Sequence, residues 1–297
     1  MWLLVDSSFL MYRAMHSFKD LTSEDMHTGV IYGFFEGLYS ICNNPRFQSN
    51  KILMFADSRH SYRKRTFPDY KKNRHANKTD EEKEQLEIMH YQADILTKKI
   101  LPDMGIPVYR QKGLESDDLI AWVSREIGKN LDEGTIITSD GDLYQCISCW
   151  INWYDPQRDL FYDRKKFEEV KGVDPVVWDV VKAIGGCTTD NVPGVRGVGE
   201  KSAIGFCNGT LKMGSAKDKL ILRAYENKEI DKWKSLVKLP HEKTKKVKYR
   251  EPEFNPEAFF KYCKKYDMDS YLTEKGKKRW MRLFKGKFKN KLRKRLI

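Results

Sequence analysis

The stretch GIPVYRQKGLESDDLIAWVSREIG, residues 105–128, decides the fold. Its apolar start runs out into the polar QKG. Glu115, Asp117 and Asp118 then open a segment whose apolar residues return with helical period, so the stretch reads as a strand feeding a helix. The same unit recurs. MWLLVD (1–6), KILMFADS (51–58) and GTIITSD (134–140) are short apolar runs closed by polar residues, and helical patterns cover 7–16, 30–42, 81–100 and 116–128. This alternation predicts an α/β fold with a mostly parallel sheet flanked by helices. CWINWYD and RDLFYD, parted by Pro156-Gln157, predict a hairpin extending that sheet at its edge.

Past Gly172 the pattern turns helical, in VVWDVVKAIGG (176–186), EKSAIGFC (200–207), KDKLILRAYEN (217–227) and KEIDKWKSLV (228–237). The expected organisation is an α/β part over 1–172, a helical part over 173–272 and a basic tail over 273–297. The formal charge of +13 resides in that tail. Twelve Lys/Arg lie between Lys275 and Arg295 without an acid among them, and the rest of the chain is almost neutral.

Such a tail points to an anionic partner, nucleic acid rather than membrane, because its apolar residues Trp280, Met281, Leu283, Phe284 and Phe288 form no long amphipathic face. The N-terminal apolar run is too short for a signal peptide, and no run approaches the ~18 residues of a membrane span. A cytoplasmic protein is expected. Six scattered cysteines, with one C-x-x-C in CISCW, read as core thiols rather than a zinc site.

Strand ends are where parallel sheets build their sites. Here Asp6 closes the first strand, Asp57 the second and Asp140 with Asp142 the fourth, while Glu115, Asp117 and Asp118 follow the third. A single aspartate after a strand is ordinarily a turn former or helix cap. Four strand ends with the same chemistry are harder to explain that way. Carboxylates gathered so densely repel unless divalent cations sit among them, and oxygen-only ligands select Mg²⁺ or Mn²⁺. Two such ions flanking a phosphodiester would activate water and neutralise developing charge.

Cations face these acids. The segment after Asp57 carries Arg59, Arg63, Lys64, Arg65, Lys71, Lys72, Arg74 and Lys78, and a helical turn would put Lys71 and Arg74 on one face, in reach of a phosphate. The stretch TTDNVPGVRGVGEKSA (188–203) is not a P-loop, because Glu200 intrudes between Gly199 and Lys201 and no strand precedes it. Two helices joined by glycine-rich turns, with bare amides free to approach phosphates, fit better.

Together LLVDSS, FADS, FPDYKKNR, GLESDD, TSDGD and DNVPGVRGVGEKSA, in this order, resemble the 5′-nuclease family: flap endonucleases, bacteriophage 5′-3′ exonucleases and the 5′-nuclease domain of bacterial DNA polymerase I. The resemblance runs from Met1 to about residue 272. It implies a PIN-like sheet, a helical arch at about 64–100 and a helix-two-turn-helix in the helical part. It implies that Asp6, Asp57, Glu115, Asp117 and Asp118 surround a first metal and Asp140, Asp142 and Asp190 a second, with Lys71 and Arg74 positioning the scissile phosphate. Arg63, Lys72, Gly194, Val195, Gly197, Gly199 and Lys201 are the implied DNA contacts, and the glycine-rich turn is expected to hold K⁺. The implied reaction is hydrolysis near 5′ ends or junctions of branched or nicked DNA, extending to RNA/DNA hybrids, by a monomer. One departure stands out: the family shows G-D-x-x-D-N where this chain has Gly186-Cys187-Thr188-Thr189-Asp190-Asn191, so a thiol replaces an acid. A soft neutral sulfur predicts a weaker second Mg²⁺ site.

Overall fold

The computed structural model describes residues 1–23, 26–74 and 78–286. They divide into two compact units interleaved in sequence. One holds residues 1–56, 80–109 and the chain from Lys248 on; the other holds 57–79 and 110–247.

In the first unit, Trp2–Asp6 pairs in parallel with Ile52–Phe55, which pairs in parallel with Val108–Tyr109. Leu3, Leu4, Val5 and all of Ile52–Phe55 are fully buried, as parallel strands covered on both faces must be. The helices Ser7–Ser17 and Gly29–Cys42 pack together. Asp6 ends the strand and caps the first helix, its Oδ1 accepting from the amides of Ser8 (3.1 Å) and Phe9 (3.4 Å). Helix Asp80–Ile95 opens with three acids that suit its positive end, then runs through a π turn at Leu96–Ile100. Gly105 follows with φ 75°; a Cβ there would lie 1.8 Å from the Glu253 carbonyl oxygen, so only glycine lets the two segments meet.

This unit also corrects the tail. Glu274–Phe284 is a helix with Trp280, Leu283 and Phe284 buried, and the Trp280 ring lies 4.5 Å from that of Phe259 and 5.7 Å from that of Phe35. Arg279 grips Glu36 with both guanidinium nitrogens (3.1 and 2.8 Å) and stacks 3.8 Å over Tyr39. The amphipathic face that the sequence reading missed comes from only four residues, Gly276, Trp280, Leu283 and Phe284, set among lysines. Residues 287–297, the rest of the expected tail, lie outside the described residues.

In the second unit, Gly134–Ile137 runs parallel to Ile151–Asp155, and Leu160–Tyr162 returns antiparallel, the hairpin expected from the sequence. The boundary expected near Gly172 falls inside this unit. Tyr144, Trp153, Tyr162, Phe167 and Trp178 form one aromatic cluster across it, with ring centroids 4.7 to 5.9 Å apart. Helices follow at Trp178–Gly185, Glu200–Cys207, Ala216–Glu226 and Glu229–Val237, close to their sequence bounds. Among the described residues, Trp2–Asp6 with Ile52–Phe55, Ile52–Phe55 with Val108–Tyr109 and Gly134–Ile137 with Ile151–Asp155 pair in parallel, against the antiparallel edge hairpin and a short Thr22–Ser23/Met26–His27 ladder, so with helices throughout the class is α/β and mostly parallel.

Candidate metal and nucleic-acid site

Within the second unit, the loop after Gly134–Ile137 is held by the aromatic cluster itself. Trp153 Nε1 donates to the Asp140 carbonyl (3.1 Å) and Trp178 Nε1 to that of Gly141 (2.8 Å). Asp140 then caps the turn Gly141–Cys146 through the Asp142 amide (2.8 Å). Two buried indoles thus fix the acids' backbone.

The glycine-rich segment brings the third acid. Asn191, in the left-handed region at φ 58°, turns the chain after the Thr188–Asp190 helical turn, and Cys187 and Val192 pair amide to carbonyl on either side. Gly194 lies so close to Gly186 that a Cβ would meet its nitrogen at 2.4 Å. The result is that Asp142, Cys187 and Asp190 place one ligand atom each within 4.8 Å of one another.

A cation stands beside each acid. Lys182 Nζ lies 2.9 Å from Asp142 Oδ1, and Arg74 donates to Asp190 Oδ1 at 2.6 Å. Lys71 Nζ sits 2.6 Å from Glu115 Oε2 and 3.7 Å from Asp190 Oδ2. The Tyr70 hydroxyl reaches the same two carboxylates, at 3.1 Å each. Lys71 is not on the α-helical turn expected. It adopts φ 56°, costing roughly 1 kcal/mol in a non-glycine residue, and a 3₁₀ turn at Lys72–Arg74 follows. The Lys71 amide donates to the Asp190 carbonyl, and Asn191 bonds both the Asp69 carbonyl and Asn73, which docks the basic segment on the glycine-rich turn.

The electrostatics follow from this packing. Burial, with Asp140 adding repulsion, raises the Asp142 carboxyl to about 6 despite Lys182. Burial and the Asp142 charge raise the Cys187 thiol, whose sulfur contacts the Thr189 hydroxyl at 3.1 Å. Glu115 is lowered: burial opposes its charge, but Lys71 and Arg63 outweigh it. Burial likewise opposes the Lys71 ammonium, yet Glu115 and Asp190 raise its pKa.

Two expected residues do something else. Asp118 is fully buried, and its two oxygens accept from Arg63 NH1 and NH2 at 2.7 Å each, while the His241 amide donates to Oδ1 at 2.8 Å. Arg63, 2% exposed, also donates to the Leu236 and Lys238 carbonyls. Four of the five guanidinium N–H donors of Arg63 and both Asp118 oxygens are engaged within the protein, so the pair, expected as DNA contact and metal ligand, forms a buried brace here. Asp57 Oδ1 accepts from the Ser116 amide and hydroxyl, and the Asp117 charge acts on Tyr70 and Lys71. Asp6, in the other unit, caps its helix. Lys72 is exposed on Asp69. In the glycine-rich turn Gly197, Gly199 and Lys201 are exposed, whereas Gly194 is buried and Val195 puts its side chain into the core, leaving only main chain for a contact.

Sequence reasoning missed Tyr70 and Lys182. The first was adjacent to a named lysine; the second is a lone cation in the apolar run VVWDVVKAIGG, five residues before Cys187.

The family described as 5′-3′ exonuclease, N-terminal resolvase-like domain, matches residues 1–172. The 5′-3′ exonuclease of Aquifex aeolicus (strain VF5) is 30% identical over 224 residues, 75% of this chain and 72% of that protein. The thermostable DNA polymerase I of Thermus aquaticus is 31% identical over 202 residues, 68% of this chain but 23% of the polymerase. Among solved structures, the bacteriophage T5 D15 flap endonuclease, crystallised with DNA and metal ions, aligns at TM-score 0.65 and 23% identity, covering 80% of this chain and 89% of that one. The fold is therefore the PIN-like one expected. With the family matched across more than half its length, this chain belongs to the 5′-3′ exonucleases.

Proposed function

We propose that this protein is a divalent-metal-dependent, structure-selective 5′ nuclease that hydrolyses DNA phosphodiesters near 5′ ends and single-strand/duplex junctions. The observation that carries it is the interleaving of Lys71, Arg74 and Lys182 with Glu115, Asp190 and Asp142, beside three converging donor atoms. Carboxylates so placed suit a hard divalent ion, with Cys187 as the one discordant donor.

Asp140, Asp142 and Asp190, with Cys187 against them, would hold one ion. On the resemblance, Asp57, Glu115 and Asp117 would hold the other. Held by these residues, divalent ions, Mg²⁺ with Mn²⁺ able to substitute, would supply a lowered pKa for the attacking water and charge neutralisation at the phosphoryl oxygens. Lys71 and Arg74, released from their carboxylates, turn their donors onto the scissile phosphate. Tyr70 keeps Glu115 and Asp190 in register. The main chain of Gly194–Gly199, with Lys201, grips the downstream strand without reading sequence, and its carbonyls suit K⁺. RNA primers paired to DNA are included as substrates, and the protein acts as a monomer. No helix among the described residues is long and apolar enough to cross a membrane.

Cys187 favours a second reading, a branched-DNA binder with impaired catalysis. One assay separates the two: labelled 5′-flap, nicked and single-stranded DNA incubated with Mg²⁺, Mn²⁺ or EDTA. Metal-dependent release of short 5′ products from flaps and nicks supports the nuclease; tight binding with every substrate intact supports the binder.

A further inference from the structure

The helix Glu274–Phe284 serves the core with one face and leaves the other unexplained. Lys275, Lys278 and Arg282 on it, and Lys285 at its C-cap, are all exposed. Their spacing of three, four and three keeps them within about a quarter of the helix circumference, along roughly 15 Å of its length. Glu274 is the single acid of the helix. Lys275, Lys278 and Lys285 engage no carboxylate among the described residues, whereas Arg279, on the flank, is spent on Glu36 and Tyr39. Arg282 bonds the neutral Tyr39 hydroxyl and Asn43, which fixes the guanidinium without cancelling its charge.

We infer that this stripe is a phosphate-backbone contact for duplex DNA, a second grip outside the nuclease site. The inference rests on the proposed function for the identity of the polyanion. A 15 Å row covers about four base-pair steps of 3.4 Å along the duplex axis, room for its cations to lie against several backbone phosphates. Lysines are point charges without a planar fork, so the contact positions the duplex and reads no bases. A membrane surface is the poorer partner: an interfacial helix must insert its apolar face, and here Trp280, Leu283 and Phe284 are already buried in the protein.

The test is the triple variant Lys275→Gln/Lys278→Gln/Lys285→Gln in the full chain, bound to a fluorescent nicked duplex across a KCl series with EDTA present. Each lost phosphate contact lowers the magnitude of the log K against log salt slope by about 0.9, so a reduction of about 2 to 3 is expected. The thermal midpoint stays at the wild-type value, because these side chains are exposed. Superimposable slopes for wild type and variant overturn the inference, and if that wild type still cuts flaps, the nuclease reading stands. A wild type that neither binds nor cuts the duplex overturns both. Retention on phosphatidylserine vesicles, under salt that releases DNA, overturns the DNA assignment in favour of a lipid surface.

Discussion

Lys71 lays its ammonium 2.6 Å from Glu115 Oε2, with both side chains largely shielded from water. The same nitrogen is 3.7 Å from Asp190, so one cation holds together two acids that would otherwise repel. A divalent ion entering this space has to displace it. Lys71→Ala should therefore bind metal more tightly than wild type while cutting roughly 10²–10³-fold more slowly, since a donor to the transition-state phosphate is gone. Calorimetric Mn²⁺ titration and single-turnover flap cleavage measure the two effects. Weaker metal binding in the variant would show that Lys71 is not the competitor described.

Arg63 and Asp118 make a different kind of pair, bidentate and sealed from solvent. Removing one partner strands the other charge in the core. Asp118→Asn or Arg63→Met should each cost about 3–5 kcal/mol of stability, whereas the double change Arg63→Met/Asp118→Leu should recover much of it. Denaturant unfolding of the set gives the coupling. If Asp118→Asn kept its full stability and lost only cleavage, the metal-ligand role read from the sequence would return.

Much of this was legible because local signals and the fold agreed. Apolar runs ending in acids located the strands, and the order of motifs gave the family. What the sequence could not reveal was which acid a neighbour consumes. Asp117 and Asp118 are indistinguishable in ESDD, yet Asp118 is the fully buried one, met by Arg63 from 55 residues away. Contact range hides Lys182 in the same way: nothing in an apolar helix pattern says that its one lysine reaches Asp142. The aromatic cluster that blurs the Gly172 boundary is likewise a tertiary fact.

Asp142 supplies a pH dependence. Its carboxyl is raised to about 6 by burial and by Asp140, so the neutral form suits the metal-free fold and its stabilising contribution is lost as pH rises from about 4 through 6. Metal needs the ionised form. The thermal stabilisation given by Mn²⁺ or Mg²⁺ should thus grow steeply between pH 5 and 7, roughly, then level off. Thermal melts at fixed metal across that range check it, and a flat profile would mean that Asp142 is not bound by the ion. Asp142→Asn should abolish the pH-dependent part.

Cys187 is 6% exposed and shares its 4.8 Å space with Asp142 and Asp190. Its sulfur is neutral at ordinary pH because burial and Asp142 raise the thiol. Cys187→Asp adds a third negative charge there, which should weaken the metal-free fold and strengthen Mg²⁺ binding, narrowing any preference for Mn²⁺. Parallel Mg²⁺ and Mn²⁺ titrations of both proteins decide the point; superimposable curves retire the idea that the thiol limits the second site.

Deleting residues 275–297, the natural experiment if they were merely a charged tail, should instead damage the fold. The cut removes Trp280 from contact with Phe35 and Phe259 and Phe284 from contact with Phe259, takes away the buried Leu283, and leaves Glu36 without Arg279. A buried tryptophan alone covers about 150–250 Å², worth on the order of 4–6 kcal/mol at ~25 cal/mol per Å². We expect the truncated protein to melt well below wild type or to aggregate. A cut after Gly286 leaves that packing intact and should melt well above the longer truncation. Equal melting of both truncations would show that the helix Glu274–Phe284 adds nothing to the core, and its aromatic face would then need another explanation.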